Sequence, residues 1–122
     1  MRPVIANMAV DQMDLRRWTP EDPEVFSVFI QLYLGPKTWS SGPHARAKRT
    51  DLFTIRVASP GGLEQLDAEG EILAWGRIIV MRRYDRDDLI HALERIVASC
   101  EAESWSGCVD LLRRHFNWEF ER

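Results

Sequence analysis

Residues 25–34 read VFSVFIQLYL, and Gly35-Pro36 follows. Successive side chains of a strand point to opposite faces, so Phe26, Val28, Ile30, Leu32 and Leu34 share one side of an extended chain. Val25, Phe29 and Tyr33 put apolar groups on the other side, beside Ser27 and Gln31. β-Branched and aromatic residues dominate the run, and the Gly-Pro pair ends it. A strand apolar on both sides belongs centrally in a sheet, or lies under helices on one face with a loop or partner on the other.

Working outward, Val4, Ala6, Met8 and Val10 alternate with Ile5, Asn7 and Ala9, which predicts a shorter first strand. Residues 11–23 are polar and turn-rich, with Leu15 and Trp18 as inward plugs. Beyond the central strand, Asp51 to Ser59 alternates again, with Phe53, Ile55 and Val57 facing one way and Thr54 and Arg56 the other. Pro60-Gly61-Gly62 closes it, and Leu63 and Leu66 suit one helical turn. Ile72 to Met81 predicts a further strand, interrupted at Gly76 by a bulge or a close backbone approach.

The period then changes. Leu89, Leu93, Ile96, Val97 and Cys100 fall on one stripe of a helix. Asp85 suits its N-cap, with Tyr84 placed to staple onto Leu89, and the early aspartates favour the positive end of the helix dipole. A second helix starts near Ser104, with Trp105, Cys108, Val109, Leu112 and Phe116 on one flank. The closing NWEFE of residues 117–121 predicts a short strand or an extended tail, and Leu93 and Phe120 both read as core. Strands first and helices second give an α+β fold over residues 1–122 as one domain: an antiparallel β-sheet with two C-terminal helices packed on one face.

The chain is 45% hydrophobic and 29% charged over 122 residues, which suits one shared core. Residues 1–61 hold eight basic and six acidic groups, whereas residues 62–122 hold eight and thirteen. That balance disfavours coating of nucleic acid, and the acidic second half favours a basic partner. The opening MRPVIANMAVDQMD lacks the order of a secretory signal, and no apolar run is long enough to span a membrane. Cytoplasmic residence is the expectation.

Chemistry-bearing patterns are missing. His44, His91 and His115 form no HExxH pair, and seven residues separate Cys100 from Cys108, too many for a zinc knuckle. Both cysteines fit apolar helix positions and are expected reduced and packed. There is no GxSxG elbow and no phosphate loop, and nothing selects one of nineteen carboxylates as an acid or base. No enzymatic role, cofactor or metal is expected. The long loop GPKTWSSGPHARAKRT, residues 35–50, joins Trp39 to Lys37, Arg46, Lys48 and Arg49. That combination suits stacking on a single strand of nucleic acid, but it would neutralise few phosphates. Two readings of Trp39 stand side by side: an anchor for a protein partner, and a side chain folded back over the sheet.

In this order, several short motifs resemble the bacterial Immunity protein 8 (Imm8) family of polymorphic toxin systems. They are Pro20-Glu21-Asp22-Pro23 with Phe26, Leu34-Gly35-Pro36-Lys37, and Asp51-x-Phe53-x-Ile55-x-Val57 with Ser59-Pro60 and Leu63. Tyr84, Asp85, Leu89 and Ile96 follow, then Cys100, Trp105, Leu112 and the tail Trp118-Glu119-Phe120-Glu121, the most specific element. The resemblance runs over nearly the whole chain. The loop between Lys37 and Asp51 is longer and more basic than usual, and the tail stops at Glu121-Arg122 where relatives often continue.

What the resemblance implies is a small inhibitor that binds a cognate toxin domain in the cytoplasm and keeps it inactive. Many such toxins are nucleases, whose basic clefts an acidic protein can occlude. The contact candidates are Trp39, Asp87, Glu101, Glu103 and Glu119. The alternative is a small non-catalytic adaptor or structural interaction protein whose partner is not a toxin. A small enzyme or a single-stranded nucleic-acid binder is less favoured. A homodimer is compatible with these readings but not predicted.

Overall fold

The structure, a computed structural model, describes residues 1–37 and 50–121. At its centre is β3 (Ser27–Pro36), paired antiparallel with β1 (Pro3–Val10) on one side and β4 (Asp51–Ala58) on the other. The two-residue β2 (Met13–Asp14) extends the outer edge of β1 through a turn in which Asp11 and Gln12 both have positive φ. The outer edge of β4 is divided. Its end, Arg56 to Ala58, pairs parallel with β5 (Ile78–Val80), and its start, Phe53-Thr54, pairs antiparallel with β6 (Asn117–Trp118). Among the described residues, every pairing except β4–β5 is antiparallel.

Helices α2 (Arg86–Ala98) and α3 (Trp105–Leu112) lie on one face. The short helix α1 (Pro60–Gly62) runs into a π-helical turn, Leu63–Asp67, and leads the chain out of β4. The α+β architecture is therefore the one expected, with β3 in the middle as its two apolar sides require.

The core lies between sheet and helices. Ile30, Leu32 and Leu34 of β3, and Phe53, Ile55 and Val57 of β4, meet Leu89, Leu93 and Val97 of α2 and Val109 and Leu112 of α3. Each such side chain contributes roughly 1.5–3 kcal/mol by leaving water. Leu15 is buried as a plug, while Trp18 meets Tyr84 edge-on at 5.2 Å, and Tyr84 meets Phe26 at 5.5 Å. The caps are those the sequence indicates. Asp88 N–H donates to the Asp85 carboxylate at 3.0 Å, and Gly107 N–H donates to the Ser104 hydroxyl at 3.1 Å.

A buried corner ties β3 to the exit from β4. The Ser59 hydroxyl oxygen accepts from Phe26 N–H at 3.1 Å and Gly62 N–H at 2.9 Å, and its proton goes to the Glu24 carbonyl at 2.7 Å. A Cβ on Gly62 would stand 1.8 Å from the Phe26 carbonyl oxygen, so only glycine permits this approach.

Three expectations need correction. In β1 the register shifts between Ile5 and Asn7, so Ile5 opposes Leu34 and reaches the core while Ala6 is exposed. Unbroken alternation sets Ala6 on the same side as Met8 and Val10; an extra residue on β1 resets the period. Of Ile72 to Met81, only Ile78–Val80 is strand. Glu69 and Ile72 instead bridge each other around Gly70-Glu71, and Gly76, at φ 87°, turns the chain into β5. Phe120 is 62% exposed rather than core. A turn closed by Glu121 N–H donating to the Trp118 carbonyl at 2.9 Å follows β6, and Phe120 packs edge-on against Trp118 at 5.2 Å.

Candidate functional site

On the face away from the helices, alternation directs Phe29, Gln31 and Tyr33 of β3 and Thr54 and Arg56 of β4 outward. Phe29 opposes Arg56, and Arg56 opposes Ile78, making one row across three strands. Phe29 is 60% exposed. Arg56 and Asp67 form an ion pair at 3.6 Å with both side chains largely buried, which draws the β4–β5 crossover onto this side of the sheet.

The second half of the crossover carries the aromatic residue that periodicity concealed. Gly70, at φ 63°, begins the tight turn from Glu69 to Ile72, where a left-handed conformation is easiest for glycine. Leu73, Ala74 and Trp75 follow without regular pairing, and Trp75 is 86% exposed. Arg56, Asp67, Glu69, Ile72, Leu73 and Trp75 line a concavity of about 510 Å³. The site thus joins exposed apolar groups to a carboxylate rim.

The charges around it are lopsided. Arg56 is engaged by Asp67, and Arg77 holds Glu121 through two hydrogen bonds of 3.0 Å and Asn117 through one of 2.7 Å. Glu64, Glu69 and Glu71 are exposed, and none forms an ion pair among the described residues. At the Arg77 clasp, partial desolvation pushes the Glu121 carboxyl upward. The hydrogen bonds and charge of Arg77, with help from the Trp118 backbone and Arg113, outweigh it and leave Glu121 below the usual carboxylate range.

The residues singled out from sequence are spread over the surface. Asp87 is exposed in the first turn of α2, whereas Glu101 and Glu103 are exposed beyond its far end. At 1.5 Å per residue, Asp87 lies roughly 16 Å along the helix from Ala98. Glu101 and Glu103 flank Ala102, which exchanges two hydrogen bonds with Met1. Glu119 is at the opposite edge of the sheet, where its carboxylate accepts from Leu52 N–H at 3.2 Å and its own N–H donates to the Leu52 carbonyl at 3.0 Å. Trp39 lies outside the described residues.

Both cysteines are free and buried. The Cys100 thiol donates to the Ile96 carbonyl and the Cys108 thiol to the Met1 carbonyl, each at 3.3 Å. Burial pushes the Cys100 thiol up, away from the reactive thiolate. Among the described residues, no group of three His, Cys, Asp or Glu side chains is placed to hold a metal ion, and no helix is long and apolar enough to cross a membrane.

Compared with known families, the chain matches Immunity protein 8 over residues 4–122. It belongs to that family. No curated protein and no solved structure matches it. As a member of the Immunity protein 8 family, it is an immunity protein of a toxin system, and its partner is a cognate toxin protein.

The motifs by which this sequence resembles Immunity protein 8 hold the fold together. Ser59-Pro60 forms the buried corner, Asp85 caps α2, and the Asp51 carboxylate accepts from the Trp105 indole N–H at 2.7 Å. The tail delivers Glu121 to Arg77. Trp75 lies outside those motifs. A tryptophan between two glycines, in a run too irregular for its assigned strand, was the signal available in the sequence.

Proposed function

We propose that this chain neutralises its toxin without chemistry of its own, by covering the toxin's working site with a preformed surface. The observation that carries this reading is the exposed aromatic and aliphatic set on the open face beside uncompensated carboxylates. An apolar centre with a polar margin is the composition of a protein-binding surface. The acidic surplus of residues 62–122 suits a toxin with a basic cleft, as a nuclease has. Asp87, Glu101, Glu103 and Glu119, distributed around the molecule, would contribute to its long-range field more than to one contact, with Trp39 as a further contact candidate. Binding would take place in the cytoplasm of the producing cell.

Calorimetric titration against a cognate toxin domain, at two salt concentrations, tests the reading. One-to-one binding with loss of toxin activity is expected, and it should weaken at higher salt because exposed charges are screened. Two folded proteins that neither bind at micromolar concentration nor affect toxin activity would overturn it and favour an adaptor with another partner.

A further inference from the structure

We infer that the Trp75 edge of the open sheet face is the anchor that grips the toxin, and that the toxin presents to it an apolar socket bordered by basic groups. The inference rests on the immunity reading above and specifies its contact surface.

Tryptophan supplies more buried area on binding than nearly any other side chain, yet Trp75 is 86% exposed. Among the described residues it makes no hydrogen bond, ion pair or ring contact, so the fold gains little from it. Its neighbours make it more than a stray surface aromatic. Ile72 (63% exposed) and Leu73 (47%) line the same concavity, and Phe29 stands opposite its Arg56 on the neighbouring strand. A contiguous exposed apolar patch of this kind marks an interaction site.

Charge identifies the occupant. Arg56, which lines the concavity, and Arg77, two residues beyond Trp75, are each paired within the chain, Arg56 by Asp67 and Arg77 by Glu121. Glu69, which lines the concavity, and Glu71, in the turn beside it, are exposed and form no ion pair among the described residues, so they give it a negative rim. A second copy of this chain would bring the same rim against itself, at a like-charge cost, whereas a basic partner would complement it.

The loop is also held before binding. Its start is fixed by the Arg56–Asp67 pair, its middle by the Glu69–Ile72 bridge, and its end by β5. Little ordering is left to oppose association.

Calorimetry and stopped-flow binding to a catalytically inactive form of the cognate toxin domain test this, using the full chain and its variants. Trp75→Ala should weaken binding at least about 30-fold, chiefly through faster dissociation, as a central aromatic anchor does. Its melting temperature should stay at the wild-type value. Met13→Ala, a 50% exposed apolar residue of β2 at the other edge of the sheet, should stay within about threefold, as interface-independent surface changes do. Replacing Glu69 and Glu71 together by lysine should slow association and flatten its salt dependence.

If the wild-type chain binds and Trp75→Ala binds equally well, the anchor is wrong while the immunity reading stands. If the wild-type chain itself does not bind, the immunity reading fails. Unchanged association in the lysine variant would overturn the basic border. Should sedimentation show a wild-type dimer that Trp75→Ala dissociates, with toxin affinity intact, the patch belongs to a second copy and the proposal falls.

Discussion

On the helical face, Ile30, Leu32 and Leu34 of β3 and Phe53, Ile55 and Val57 of β4 are at most 3% exposed; on the opposite face, Phe29 of the same β3 is 60% exposed. The two faces are made by the same strands. The helical face is closed by α2 and α3, whose stripes match it in length and apolar character. Among the described residues, the open face carries an irregular segment, tethered by Arg56 and Asp67, that leaves apolar side chains in water. The contrast teaches that, among the described residues, the apolar groups of one face are covered by the chain's own helices while several on the other stay exposed.

The sharpest way to break that comparison is to truncate one side chain from each face. Leu93→Ala should cost about 2–5 kcal/mol, because it opens a cavity among well-packed neighbours. Phe29→Ala should change stability by no more than about 0.5 kcal/mol, the usual range for surface changes. Urea denaturation measures both, and comparable losses would mean that the open face is part of the core. The corner joining the faces comes next. Ser59→Ala leaves two buried N–H groups and a carbonyl without that hydroxyl, a loss of about 1–3 kcal/mol by the same measurement.

The smallest effect is expected at the C-terminal clasp, a partly exposed ion pair worth on the order of 1 kcal/mol. Because the folded-state pKa of Glu121 is lowered, its contribution is present above the unfolded carboxyl value and is lost as pH falls through the folded one. Thermal melts of Glu121→Gln should therefore show lower stability than wild type near neutrality. The two should converge as the solution is acidified. A constant gap across that range would mean that the clasp acts through packing rather than charge.

Much of this fold was legible because its signals are local. β3 and β4 declared themselves by alternation, and α2 by its stripe and the Asp85 cap, since each pattern follows from the geometry of one element. The errors arose where one element depends on another. The bulge in β1 exists only in register with β3, so no property of Ile5 or Ala6 alone announces it. Ile72, Leu73 and Trp75 resembled a strand because apolar residues usually earn burial, and here they do not. Phe120 misled for the same reason. The acidic candidates were legible as charge, but their separation around the molecule was not, because sequence distance along α2 and around the sheet gives no surface position.

The sequence by itself determined the α+β class, the buried stripes, the helix caps, the acidic imbalance and, through its ordered motifs, membership in the Immunity protein 8 family. Those properties depend on residue type and spacing, which the chain carries whether folded or not. Only the tertiary structure decided that β5 pairs parallel with β4, that Ser59 and Gly62 lock the exit from that strand, and that Trp75, Ile72 and Leu73 meet Arg56 beside Phe29. Exposure is a relation between distant segments, and it appears only once the chain has spent its own helices on the opposite side of the sheet.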